Sequence, residues 1–118
     1  MSEKSGLDLI NESKSRIREI SAADAAANPE AGVIYFDCRE PNEYALGHIP
    51  GAVFIPRGNL ETKIEAAIPR DKKVLIYCAT GNRSALAADT MQQMGYTDVA
   101  SMSGGFRGWV DAGGKVES

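Results

Sequence analysis

Residues 74–83 read Val-Leu-Ile-Tyr-Cys-Ala-Thr-Gly-Asn-Arg, and this stretch decides the fold. Its four leading apolar residues are typical of a strand that is buried on both faces of a parallel sheet. Apolar residues at helical spacing follow over residues 84–94, so Cys78 lies where a buried strand passes into a helix N-terminus. Unpaired backbone N–H groups and the helix dipole favour negative charge there, and this setting lowers a cysteine pKa from about 8.5. The stretch predicts a cradle for an anionic sulfur or for a small anion beside it.

The remaining apolar runs predict an α/β fold. Strands are expected at residues 18–20, 33–36, 52–55, 74–77 and 99–100, with helices at 41–46, 60–67 and 84–94 and a terminal helical turn around Trp109. Buried strands that alternate with short helices predict a three-layer α/β/α arrangement around a mostly parallel sheet of about five strands. Residues 1–16 carry only a weak apolar stripe, which predicts a short helix or a flexible arm. Residues 17–118 are expected to form a single domain.

Composition narrows the function classes. The 118 residues carry a net charge of −3 and no basic stripe, which argues against nucleic acid as a partner. No apolar stretch approaches the roughly 18 residues of a membrane span. The N-terminus lacks the pattern of a secretory signal, so we expect a cytoplasmic location and no membrane partner. In that reducing compartment we expect Cys38 and Cys78 to be free, although one disulfide is compatible with the sequence. The two cysteines and His48 lack metal-ligand spacing, and we expect neither a metal nor a cofactor.

Three motifs in register extend this interpretation. Residues 37–44 read Asp-Cys-Arg-Glu-Pro-Asn-Glu-Tyr and precede Gly-His-Ile-Pro-Gly-Ala at 47–52, residues 77–84 read Tyr-Cys-Ala-Thr-Gly-Asn-Arg-Ser, and Gly104-Gly105 precedes Trp109. In order and spacing, across about residues 18–117, the motifs resemble the signatures of single-domain members of the rhodanese family of sulfurtransferases. The resemblance implies transfer of a sulfane sulfur from a donor such as thiosulfate to a thiol or cyanide acceptor. A protein sulfur acceptor is a further candidate partner.

The same resemblance assigns roles to the loop. Cys78 is implied to be the catalytic nucleophile that carries the sulfur as a persulfide. Backbone N–H groups can hold the persulfide charge, Gly81 lets the loop curl around the sulfur, and Arg83 brings a permanent positive charge. The expected substrate-binding residues are Ala79, Thr80, Gly81, Asn82 and Arg83. Because Ala79 and Thr80 are uncharged, the loop holds no second cation, and persulfide donors stand beside thiosulfate as candidates.

Asp37, Arg39 and Ser84 are expected to support the site. Asp37 and Arg39 either line the pocket or, as we favour, pair with neighbouring backbone and loops to fix it. Cys38 is either a small buried residue at a strand end or a second thiol that resolves the Cys78 persulfide as a disulfide. His48 is expected in a structural turn rather than in a catalytic pair, and the roles of Arg57 and Arg107 stay open.

Two other function classes also stay open. Phosphatases and arsenate reductases of the same fold carry a Cys-x5-Arg loop, one residue longer than the Cys-x4-Arg spacing here. The shorter loop makes a narrower cradle, which suits a single sulfur better than a tetrahedral phosphate. A non-catalytic binding module is the second alternative, and such modules typically lose the loop cysteine that this chain keeps.

Overall fold

The computed structural model describes residues 3–118 and contains a five-stranded, all-parallel sheet in the order β1-β5-β4-β2-β3. The strands are β1 (Arg18–Ser21), β2 (Ile34–Asp37), β3 (Val53–Phe54), β4 (Val74–Tyr77) and β5 (Val99–Ser103). The α-helices are α1 (Gly6–Arg16), α2 (Ala22–Ala27), α3 (Pro41–Leu46), α4 (Leu60–Ala67), α5 (Asn82–Gln93) and α6 (Gly105–Asp111), with one 3-10 turn at Arg57–Asn59. The predicted α/β fold is confirmed.

Strand β4 is the centre of the molecule. All four of its residues are buried, and it pairs with β5 on one side and with β2 on the other. Apolar residues from its two faces enter two cores, one packed under α4 and α5 and the other under α2 and α6. This double burial is why the strand reads as a continuous apolar run rather than an alternating one.

Some element limits differ from the predictions. Strand β5 extends to Ser103 instead of ending at Ala100, since the polar residues Ser101 and Ser103 hid its length in the sequence. Strand β3 is only two residues long, although the apolar run around it spans residues 52–55. Helix α5 begins at Asn82, two residues earlier than expected. Its far end has the predicted Gly-then-apolar stop, because the Tyr96 and Gly95 N–H groups donate to the Met91 and Gln92 carbonyls.

The first segment is helical where the structure describes it. Met1 and Ser2 lie outside the described residues, and helix α1 begins at Gly6 behind a Ser5 capping box. Ser13 and Arg16 hold α1 against α5 because both donate hydrogen bonds to the Asp89 carboxylate. Within residues 3–118, none of the helices has the length and apolar character needed to cross a membrane.

Candidate active site

Cys78 is the first residue after β4, and the loop behind it wraps its sulfur in backbone N–H groups. Gly81 reverses the chain with a φ of +109°, a left-handed conformation that favours glycine, so that α5 begins at the next residue. The Gly81 N–H donates to the Cys78 Sγ at 3.1 Å, and the Ser84 N–H approaches it at 3.4 Å. Only 1% of the Cys78 surface is exposed. A reagent must therefore insert its reacting atom into the loop to reach the Cys78 sulfur.

A buried pair of hydroxyls completes the cradle from the sheet side. The Ser84 Oγ lies 3.5 Å from the Cys78 Sγ and 2.8 Å from the Ser101 Oγ. Both serines are fully buried. When Cys78 is a thiolate, the Ser84 hydroxyl donates to the sulfur, and its own oxygen accepts from Ser101. The two hydroxyls thus form a short relay that points one O–H at the anion.

These donors make Cys78 acidic. The neighbouring Cys38 thiol is the largest influence, and together with the Ser84 hydroxyl and the Ser84 and Gly81 N–H groups it lowers the pKa of Cys78 to about 4, although burial opposes the shift. Conversely, the neighbouring Cys78 sulfur, followed by burial, raises the pKa of Cys38 well above its ordinary value. At neutral pH the site therefore holds one thiolate, Cys78, beside one protonated thiol, Cys38.

Arg83, the expected electrostatic support, is not free. Its guanidinium binds the Glu43 carboxylate of α3 through both fork nitrogens, at 2.9 and 3.1 Å. The Arg83 partner lowers the pKa of Glu43 to about 2, so the pair is ionised at any working pH. Arg83 still adds positive potential near Cys78, but Glu43 offsets much of its charge.

Asp37 and Arg39 form a second ion pair, which is fully buried beneath the site. The Arg39 side chain binds both Asp37 carboxylate oxygens and donates to the Gly47 carbonyl at 2.7 Å. Its guanidinium also lies 4.3 Å from the centre of the Phe106 ring. These contacts join the end of β2 to α3 and α6, and they support the framework interpretation of the pair rather than the pocket-lining one.

The glycines at the start of α6 pack directly against the loop that follows Cys78. The Phe106 and Arg107 N–H groups donate to the Cys78 and Ala79 carbonyls at 2.7 and 3.2 Å. A Cβ placed on Gly105 would stand 2.5 Å from the Ala79 oxygen and 2.6 Å from the Cys78 oxygen. The Gly104-Gly105 signature thus permits backbone-to-backbone packing that fixes the loop's position.

The other predicted residues take outer positions. Thr80 and Asn82 are exposed and Ala79 is half-buried, so the loop offers its backbone more than its side chains to the sulfur. Arg57 binds Glu61 and Thr90, and the Arg107 side chain is exposed. His48 stacks on Tyr44 at 3.8 Å, and its Nδ1–H donates to the Tyr44 carbonyl at 3.0 Å, which supports its expected structural role.

Three site residues were missed by the sequence analysis: Glu43, Ser101 and Gly105. Glu43 stands 40 positions from the arginine that it binds, and no local pattern announces this pair. The only sequence signal for Ser101 was its position as a serine inside an otherwise apolar run, where a buried hydroxyl needs a polar partner. The paired glycines were noticed as a motif, but their contact with the loop follows only from the fold.

Comparison with known proteins identifies the family of this chain. The protein-family model of the rhodanese-like domain matches residues 21–112 of this chain. The chain belongs to the rhodanese-like family. It is 37% identical over 95 residues to thiosulfate sulfurtransferase GlpE of Pseudomonas fluorescens, covering 80% of this chain and 86% of that protein. It is also 34% identical over 116 residues to the putative sulfur carrier protein YrkF of Bacillus subtilis, covering 97% of this chain.

The chain is shorter than some of these rhodanese-like relatives. It spans 62% and 60% of the lengths of two Bacillus subtilis relatives, the second being YrkF. A solved structure of a Rhodopseudomonas palustris protein of unknown function, described as a possible tyrosine phosphatase, has a TM-score of 0.87 and 39% identity. That match covers 99% of this chain and 97% of the other.

Proposed function

We propose that this rhodanese-like domain is a sulfurtransferase that carries a sulfane sulfur on Cys78. The observation that carries the proposal is the Cys78 sulfur among the N–H and O–H donors of its loop, which together with the Cys38 thiol lower its pKa to about 4. A thiolate is the nucleophilic form of cysteine, and the same donors can hold the negative charge of a persulfide. The names of GlpE and YrkF, a thiosulfate sulfurtransferase and a putative sulfur carrier, support this chemistry.

The proposed reaction has two displacements at sulfur. The Cys78 thiolate attacks the outer sulfur of thiosulfate, a new S–S bond forms, and sulfite leaves with the electron pair of the broken bond. The product is a Cys78 persulfide anion, held by the loop N–H groups. A thiol or cyanide acceptor then attacks the outer sulfur and restores the Cys78 thiolate. Charge is conserved in both steps, and no cofactor is needed.

The ion pair at the loop bears on the donor class. Thiosulfate is a dianion and gains most from a free cation, whereas the Arg83 guanidinium is already bound to Glu43. Small-molecule and protein persulfides carry less charge, and we place them beside thiosulfate as candidate donors. We assign the reaction to the cytoplasm, where thiol acceptors are kept reduced.

A phosphatase or arsenate reductase is the second candidate, because the Rhodopseudomonas palustris neighbour is described as a possible tyrosine phosphatase. Two features of this chain favour sulfur instead. The Cys78-to-Arg83 loop has only four intervening residues. Arg83 also directs both fork nitrogens to Glu43, and bidentate binding of an oxyanion would require that fork.

Intact-protein mass spectrometry tests the proposal. Brief exposure to thiosulfate is expected to add one sulfur atom, about 32 Da, to the parent and none to Cys78→Ser. Cyanide should then remove the added mass and yield thiocyanate. A parent that gains no mass from thiosulfate or from glutathione persulfide, yet hydrolyses p-nitrophenyl phosphate or reduces arsenate, would overturn the proposal in favour of the second candidate. A parent with none of these activities would support a binding module.

A further inference from the structure

Cys38 and Cys78 occupy facing positions at the carboxyl ends of adjacent strands. Strands β2 and β4 pair in parallel with Asp37 opposite Tyr77, so the two cysteines form the next pair along. The Cys38 N–H donates to the Tyr77 carbonyl at 3.1 Å, which continues the ladder to this point. Neighbouring strands lie about 4.8 Å apart, and a disulfide needs Cα atoms roughly 4.4–6.8 Å apart. The backbone spacing therefore suits an S–S bond.

The two side chains also point to the same face of the sheet. Cys38 and Cys78 belong to the core cluster that contains Phe36 and Ile76, the residues two positions before each of them. The Cys38 Sγ lies 3.4 Å from the Tyr77 carbonyl oxygen, so the thiol leans toward β4. Cys38 has no exposed surface, and the chain has only these two cysteines. Hence Cys78 carries the sulfur that Cys38 can reach. A disulfide compound in solution cannot reach Cys38.

We propose that Cys38 is a resolving thiol, which converts the Cys78 persulfide into a Cys38–Cys78 disulfide and releases hydrosulfide when no acceptor arrives. This inference rests on the proposed function, because the persulfide is its starting point. The reaction would give the domain a second outcome, sulfide release, in place of transfer to an external thiol.

The step balances without an external oxidant. The Cys38 sulfur attacks the Cys78 Sγ, and a bond forms between them while the bond to the outer sulfur breaks. The outer sulfur keeps the electron pair, takes the proton of the Cys38 thiol and leaves as HS⁻. Cys38 is oxidised to the disulfide level and the outer sulfur is reduced to sulfide, while Cys78 keeps the oxidation level that it had in the persulfide. A single negative charge stands on each side of the equation.

The surroundings of the two sulfurs favour this course. Cys38 is fully buried and follows the strand next to that of Cys78, whereas the donor must bring its sulfur in from solvent. The thiol that attacks and the sulfur that leaves therefore meet the Cys78 Sγ from different directions. Because the raised pKa of Cys38 keeps it protonated, and a protonated thiol is a weak nucleophile, the step is slow and follows only when no acceptor arrives. Core packing explains the burial of Cys38, but it does not require that a thiol face the nucleophile.

The test follows a preloaded protein without any acceptor. The parent, Cys38→Ala and Cys38→Ser are loaded to completion with thiosulfate, separated from donor and sulfite, and incubated anaerobically. Hydrosulfide is measured with a sulfide electrode, and the protein by intact mass and by non-reducing peptide mapping. We expect the parent to release about one equivalent of hydrosulfide, lose two hydrogens relative to the reduced chain, and show a peptide joined through Cys38 and Cys78. The variants should keep the added sulfur at least ten-fold longer.

The outcomes separate this inference from the proposed function. If the Cys38 variants load sulfur and the parent persulfide persists as long as theirs, Cys38 is core packing only and the inference is overturned, while the sulfurtransferase proposal stands. Release of hydrosulfide with a Cys78–Cys78 dimer, at a rate that rises with protein concentration, would overturn it as well. If neither the parent nor the variants load sulfur from any donor, the proposed function itself fails. Recovery of loading after treatment with a dithiol would complete the expected cycle.

Discussion

The hydroxyl relay beneath Cys78 gives a sharp quantitative prediction for Ser84→Ala. The substitution removes the O–H donor that lies 3.5 Å from the sulfur and leaves the Ser101 hydroxyl without its partner. A hydrogen bond to a charged group contributes about 1.5–3 kcal/mol, and a contact of this length belongs at the lower end. Since one pKa unit corresponds to about 1.4 kcal/mol, the pKa of Cys78 should rise by about one unit.

The pH dependence of alkylation measures this shift. Iodoacetamide is a small alkylating reagent, and its rate of reaction follows the fraction of Cys78 that is ionised. The parent should lose half of its maximal rate near the Cys78 pKa of about 4. At pH 4 the Ser84→Ala variant should react about five-fold more slowly than the parent, whereas at pH 7 the two rates should be equal. Circular dichroism at each pH shows whether both proteins remain folded.

Ser101→Ala is the matched control, because it deletes the neighbouring buried hydroxyl but leaves the Ser84 donor in place. Its rate profile should shift by less than about half of the Ser84→Ala effect, since it acts on the sulfur only through Ser84. An unchanged profile in Ser84→Ala would refute the reasoning. So would a Ser101→Ala shift as large as that of Ser84→Ala, because the loss would then reflect a general disturbance of the core.

Three other substitutions test the frame of the site. Glu43→Gln frees the Arg83 guanidinium to attract thiosulfate and should lower the KM for thiosulfate, measured by thiocyanate formation. The decrease should be only about three- to ten-fold, because solvent screens a partly exposed charge. Gly105→Ala drives a Cβ into the backbone of Cys78 and Ala79 and should abolish most sulfur transfer while lowering the free energy of unfolding by about 2–4 kcal/mol. Asp37→Asn leaves the buried Arg39 charge without its anion and should cost about 3–5 kcal/mol in urea unfolding.

Each of these changes has a counterpart elsewhere in the chain. Glu65→Gln breaks an exposed arginine–glutamate pair, in which Arg70 also binds the Met94 carbonyl at the far end of α5, and should leave the thiosulfate KM unchanged. Gly113→Ala alters a glycine that also has a positive φ, but its Cβ would meet open space, so the cost should be confined to backbone strain. Asp98→Asn removes an exposed partner of Arg18 and should cost less than about 1 kcal/mol. Equal effects within any of these three comparisons would contradict the assigned role.

Residues 74–83 were informative before the fold was known because strand, loop and helix start are adjacent in sequence. The apolar run, the glycine and the helix start are local signals, and they predicted the fold class and the position of the thiolate cradle. The limits of β3 and β5 were less predictable, since the pairing of short strands depends on neighbours from distant segments. The face to which Cys38 points was likewise open until the register of β2 on β4 was known.

The long-range contacts are what change the functional interpretation of the loop. Read alone, Arg83 is a free cation at the end of an anion cradle, and a free guanidinium suits phosphate as well as sulfur. The fold brings Glu43 from α3 onto that guanidinium, so the remaining attraction for an anion comes mainly from N–H and O–H dipoles. Dipoles of this kind satisfy a singly charged sulfur, whereas a bound dianion would leave part of its charge uncompensated. The neutralised arginine therefore favours a persulfide over a phosphate on electrostatic grounds, and the short loop favours it because its cradle is narrower.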